Sequence, residues 1–226
     1  MLHRNERNWQ ATIFLRGKKL NQVVSDAVRQ IQAKLNMSKR KLCRQLKIGR
    51  ANLQRWIGKK GIFPVPLNRL ISLITLLPNA DDQEKLFREI SRNVEEISTL
   101  QDKRWIKIPK TISPRLAEIL GRHTGDGSIT KSTWTIKITE ESREIVENQA
   151  RDIREEFGVD MQITRGNGNF WEGKINSLPL ALLLNKLFGI PLGKKSTIVE
   201  EPKFLKNDIE LRKAFLRGLI DTDGSF

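Results

Sequence analysis

The chain has 226 residues, 38% of them apolar, and a formal net charge of +15, enough for one or two domains with a substantial core. One cysteine, Cys43, and two histidines, His3 and His123, exclude a disulfide framework, a cysteine-based zinc site and a histidine-built metal centre. The apolar run 178–190 is short and interrupted by Asn185 and Lys186, and the first residues carry no signal-peptide pattern, so a cytoplasmic protein is expected.

The charge is uneven. Residues 1–79 hold 17 Lys+Arg against 2 Asp+Glu, whereas residues 80–226 hold 24 of each. A basic module joined to a neutral one points to a polyanion, nucleic acid, as the partner of the first. Residues 1–20 are basic with scattered apolar positions (Trp9, Ile13, Phe14, Leu15) and read as a short strand or an arm. From Val23, apolar residues recur at helical spacing: Val24, Ala27, Val28, Ile31, Leu35. Met37-Ser38 offers a cap for a second short helix, 39–46, with Leu42, Cys43 and Leu46 inward. Lys47-Ile48-Gly49-Arg50 is a turn, and 51–57 is a third helix with Leu53, Trp56 and Ile57 inward. Pro64-Val65-Pro66 leads into a fourth helix, 67–77.

Helix, short glycine-containing turn, helix is the helix-turn-helix pattern, and this stretch is similar to the Cro/repressor-type module. Its third helix would present Arg50, Asn52, Gln54 and Arg55 to base edges. Lys39, Arg40, Lys41, Lys59 and Lys60 would flank them as phosphate contacts. Asn79-Ala80-Asp81-Asp82 caps a charged amphipathic helix to about residue 100, with Leu86, Ile90, Val94 and Ile97 on one face. Residues 103–110 alternate and read as extended.

Two related strings follow. Ile119-Leu120-Gly121-Arg122-His123-Thr124-Gly125-Asp126-Gly127 returns 97 residues later, the interval from Asp126 to Asp223, as Leu216-Arg217-Gly218-Leu219-Ile220-Asp221-Thr222-Asp223-Gly224. Ser113-Pro114 and Asn207-Asp208 cap helices leading into them. Gly121 and Gly125, like Gly218 and Thr222, lie four apart on one helix face. A mid-helix glycine costs about 1 kcal/mol, which close approach of a second backbone would offset. Parallel packing of the two helices would bring Asp126 and Asp223 together, where a divalent cation would relieve their repulsion. Asp221 is expected to point away from that seam. Between the strings, residues 128–139 read as two short strands around Trp134, Ile136 and Ile138. Residues 141–157 read as a helix with Ile145, Ala150, Ile153 and Phe157 inward. Residues 159–165 and 169–175 form a hairpin across Gly166-Asn167-Gly168, and 178–188 a helix.

These strings resemble the LAGLIDADG homing endonuclease family in its two-motif, dodecapeptide form, over about residues 105–226. Gly193-Lys194-Lys195-Ser196 with Pro202 resembles a block that the family carries between repeats, although Val199-Glu200-Glu201 stands where the family often has a lysine. The resemblance implies an α+β fold: a helical module, a repeat of order αββαββα, and the first helix of a second repeat. It implies strands forming a concave saddle on duplex DNA, with Lys131, Lys137, Arg165, Asn167, Asn169 and Lys174 as candidate contacts. It implies phosphodiester hydrolysis assisted by magnesium or another divalent ion at Asp126 and Asp223. The expected domains are 1–79, a helical linker 80–110, and 111–226. A helix-turn-helix transcriptional regulator keeping the scaffold for binding only, and an RNA-binding intron maturase, are the alternatives. An intein fits less well, for want of splicing residues. The second repeat stops two residues after its motif, so impaired cleavage is expected, with a homodimer or a downstream segment completing the saddle.

Overall fold

The computed structural model describes residues 13–58, 61–193, 202, 205 and 208–223, without the side chains of Thr222 and Asp223. Residues 1–12, Lys59 and Lys60, the block from Lys194 to Glu201, Lys203, Phe204, Lys206, Asn207 and residues 224–226 lie outside the described residues. Nine helices and two antiparallel sheets occur among those described. None of the helices is long and apolar enough to cross a membrane. The chain divides into two units, Met1–Lys103 and Arg104–Phe226.

The first unit begins with β1 (Ile13–Arg16), α1 (Leu20–Lys34), α2 (Lys39–Gln45) and α3 (Arg50–Ile57). It continues with β2 (Val65–Pro66), α4 (Leu67–Thr75), α5 (Ala80–Asn93) and β3 (Glu96–Thr99). Each helix turns its apolar stripe inward: Val24, Val28 and Ile31 from α1, Leu42 and Cys43 from α2, Leu53 and Trp56 from α3, Leu70 and Leu73 from α4. β1 lies antiparallel to both β2 and β3, with Leu15 opposite Val65 on one side and Ile97 on the other.

The helix expected to run to residue 100 ends at Asn93. Val94 turns extended, the Glu95 amide donates to the Arg16 carbonyl at 2.9 Å, and Glu96–Thr99 becomes the strand beside β1. Val94 and Ile97 are buried as the helical reading required, but Ile97 reaches the core from a strand. Gly17 permits the join, because a Cβ there would lie 1.9 Å from the Asn93 carbonyl oxygen. α5 and β3 fall within the first unit, Met1–Lys103.

The second unit holds β4 (Ile106–Lys107), α6 (Pro114–Thr124), β5 (Ser128–Thr130), β6 (Thr135–Glu140) and α7 (Arg143–Phe157). β7 (Gln162–Arg165), β8 (Trp171–Asn176), α8 (Leu178–Lys186) and α9 (Ile209–Asp223) complete it. The sheet order is β5-β6-β8-β7, all antiparallel. Ile129, Ile136, Ile138 and Ile175 fill its buried face. Gly173 makes room there, its missing Cβ falling 3.1 Å from a methyl of Val146 on α7. The inward face of α7 is Val146, Gln149, Ile153 and Phe157, while Ile145, expected inward, is 40% exposed. The helix begins at Arg143 and not at 141, and its apolar stripe runs from Val146 at intervals of three and four, a face that the buried Gln149 disguises in the sequence.

Candidate functional site

Three surfaces carry the residues singled out above. The first is the α2–α3 pair. Ser38 caps α2 through its Oγ, which accepts from the Lys41 amide at 3.3 Å. Lys47 takes a left-handed conformation (φ 52°), and the Ile48 amide closes the turn on the Cys43 carbonyl at 3.0 Å. Asn21 of α1 locks the far end. Its amide nitrogen donates to the Trp56 and Phe63 carbonyls, each at 3.1 Å, and its oxygen accepts from the Phe63 amide at 3.0 Å. With both edges of Asn21 satisfied, its burial carries no desolvation penalty of an orphaned amide. Lys39, Arg40, Lys41, Arg50, Asn52, Gln54 and Arg55 are all exposed. None of these cations is ion-paired among the described residues.

The second surface is the seam of α6 and α9. A Cβ on Gly121 would lie 2.0 Å from the Phe215 carbonyl oxygen, and one on Gly218 would lie 2.2 Å from the Glu118 carbonyl oxygen. Phe215 stands as far along the chain from Glu118 as Gly218 does from Gly121, so the contact is reciprocal about a local two-fold. Gly125 caps α6, its amide donating to the Gly121 carbonyl at 3.0 Å. Along the seam Glu118 pairs with Arg122 and, at 3.6 Å, with Arg217; Arg122 also reaches Asp152 of α7 at 3.4 Å.

At the C-terminal ends Asp126 and Asp221 are both exposed. Both act on Glu140, the last residue of β6. Burial raises the Glu140 pKa above the ordinary 4.5 and the hydrogen bond from Gln149 (3.2 Å) lowers it; Asp126 and Asp221 push it up and Arg122 pulls it down. The ends of α6 and α9 thus both act on the end of β6. Glu140 is a residue that sequence reasoning passed over, although it occupies the inward position after Ile136 and Ile138, where an acid breaks the apolar alternation. Among the described residues no group of three or more His, Cys, Asp or Glu is placed to hold a metal ion. The side chains of Asp223 and Thr222 lie outside the described residues, so the divalent-ion expectation gains no geometry here.

The third surface is the open face of the second unit's sheet. The register puts Thr135 opposite Asn176, Lys137 opposite Lys174 and Thr139 opposite Glu172, all on the side away from Ile136, Ile138 and Ile175. Lys137 and Lys174 both pair with Glu172. These two bonds hold the Glu172 carboxyl below its ordinary pKa. Lys131, Asn167 and Asn169 are exposed in the turns at the sheet's ends, and Arg165 is exposed at the end of β7.

No family model matches this chain. It is similar to the glutamine–fructose-6-phosphate aminotransferase (isomerizing) of Methanocaldococcus jannaschii, with 26% identity over 216 residues, 91% of this chain and 18% of that protein. The chain therefore spans less than a fifth of the length of that curated relative. This finding corrects the LAGLIDADG identification: the similarity is to a protein named as an aminotransferase. Site-specific cleavage of DNA, the hydrolase class and the intron and intein associations are set aside with it, as are the regulator and maturase built on the same scaffold. The physical reason lies in the seam. Small residues four apart are what any two helices need to meet backbone to backbone, so Gly121 and Gly218 record packing before they record ancestry.

Proposed function

We propose that this chain binds the phosphate backbone of duplex DNA through the exposed face of α2 and α3, used as a helix-turn-helix. The observation that carries the reading is the set Lys39, Arg40, Lys41, Arg50 and Arg55: exposed, unpaired among the described residues, and borne on two short helices joined by a tight turn. Such cations release counterions when they neutralise phosphates, which gives affinity without sequence preference. Asn52 and Gln54, exposed on α3 between the two arginines, have the donor and acceptor pairs that read adenine edges. The polar face of the second unit's sheet, with Lys131, Arg165, Asn167 and Asn169 at its ends, supports a second contact with the same backbone. A cytoplasmic location fits this partner.

The test is anisotropy of a labelled random-sequence duplex titrated with the full chain over a range of salt. A linear fall of log affinity with log salt is expected, with slope near −0.9 per phosphate neutralised. Arg50→Ala with Arg55→Ala should flatten that slope by about 2. Binding that ignores salt, or is unaffected by both substitutions, overturns the reading.

The likeness to the aminotransferase supports a second reading, in which the chain shares in converting glutamine and fructose-6-phosphate. It ranks second because the matching segment is 18% of that protein and the lone thiol here, Cys43, is buried in the α2 core. Release of glutamate from glutamine, dependent on fructose-6-phosphate, would establish it.

A further inference from the structure

We infer that Glu172 is a built-in competitor for phosphate on the open face of the second unit's sheet, holding Lys137 and Lys174 in pairs that an incoming backbone phosphate must displace. The inference rests on the DNA-binding reading for the identity of its ligand. Lys137 and Lys174 are directly opposite each other on neighbouring strands. Two ammonium groups in that relation repel, so the pair requires an anion between them. Glu172 supplies it, two residues along β8 from Lys174 and diagonal to Lys137, and pairs with both.

The cradle is built for that carboxylate. Glu172 has 15% of its side chain exposed, against 35% for Lys137 and 39% for Lys174. Gly166, across the β7–β8 turn, leaves the space: a Cβ there would lie 2.9 Å from the Glu172 Cγ. One carboxylate against two ammoniums leaves a charge of one uncompensated, and both lysine side chains are more exposed than the carboxylate between them. A phosphodiester carries one negative charge and two free acceptor oxygens, matching what Glu172 offers. In the free protein the lysines are therefore occupied, and the face is weaker for polyanions than its lysines alone imply. Neighbouring Gln162, opposite Lys174, and Thr164, opposite Glu172, add no charge to the exchange.

The experiment compares the full chain with Glu172→Gln on the labelled duplex over a salt series. Tighter binding is expected, with a log–log slope steeper by about 1 to 2. Lys137→Gln with Lys174→Gln should change little in the unmodified chain and should erase the gain in the Glu172→Gln chain. A Glu172→Gln chain that binds equally or more weakly overturns the inference, because Glu172 would then be positioning the lysines. So does a lysine pair whose loss costs as much with Glu172 present as without it. In the unmodified chain, the Glu172 side-chain carboxyl resonance should move when duplex is added; a fixed resonance overturns the inference without any substitution. Repeating the comparison with inorganic polyphosphate in an Arg50→Ala, Arg55→Ala background separates the two readings. There the Glu172→Gln gain should persist even if α2 and α3 prove to bind no DNA, and its absence counts against the competitor alone.

Discussion

At the scale of single residues, the two seam glycines and two glutamates make signed predictions. Alanine in a helix interior normally stabilises by about 1 kcal/mol relative to glycine. At Gly121 and Gly218 the sign should reverse, because the added Cβ meets a carbonyl oxygen at 2.0 and 2.2 Å. Gly121→Ala or Gly218→Ala should lower stability by about 1–3 kcal/mol in denaturant unfolding, the ordinary cost of overpacking. A stabilised variant would mean the helices do not meet at those atoms. The glutamates titrate in opposite senses. Glu140 has a raised pKa when folded, so its contribution to stability falls as pH rises from 4.5 through the folded value. Glu140→Gln should therefore gain on the unmodified chain across that rise, read from melting temperatures at successive pH values. Glu172 has a depressed pKa, so its pairs stabilise above 4.5 and are lost as pH falls through the folded value. The acid-side loss should be smaller in Glu172→Gln.

At the scale of elements, starts were easier to read than ends. Ser38, Asn79, Ser113 and Ser177 each cap a helix through a side-chain oxygen that accepts from a backbone amide, a local device visible in a few letters. The end of α5 was hidden, because Val94 and Ile97 continue the helical spacing of Leu86 and Ile90 while the strand they enter pairs with β1, far back in the chain. Sheet partners supply what local spacing cannot. The same limit applies to the sites: the basic face of α2 and α3 follows from nearby letters, whereas the hold of Glu172 on Lys137 depends on register. Asn21 shows how one side chain joins elements. Asn21→Ala should cost about 1–3 kcal/mol, since it orphans an amide and two carbonyls at the end of α3 and beyond. Asn21→Asp keeps only the acceptor for the Phe63 amide and should recover part of that loss. Equal stability of all three chains would remove the clamp from the account.

At the scale of the whole molecule, the charge is unevenly spread along the chain. Residues 1–79 hold the entire excess, within the unit Met1–Lys103, and the remainder is balanced. Composition alone made that legible. Family membership was read too far, because two short strings carry as much about helix packing as about descent. The similarity over 91% of the chain weighs more than the strings do, and it is to a protein of a different name.

The reciprocal seam also has a consequence in time. Between Gly121 and Gly218 no side chain intervenes, so the amides of both stretches are shielded by one event, the closing of two backbones on each other. Deuterium can enter either stretch only when that contact opens. The amides around 120–122 and 216–219, nearly a hundred residues apart in sequence, should therefore exchange with one shared opening free energy, and Gly121→Ala should speed both by the same factor.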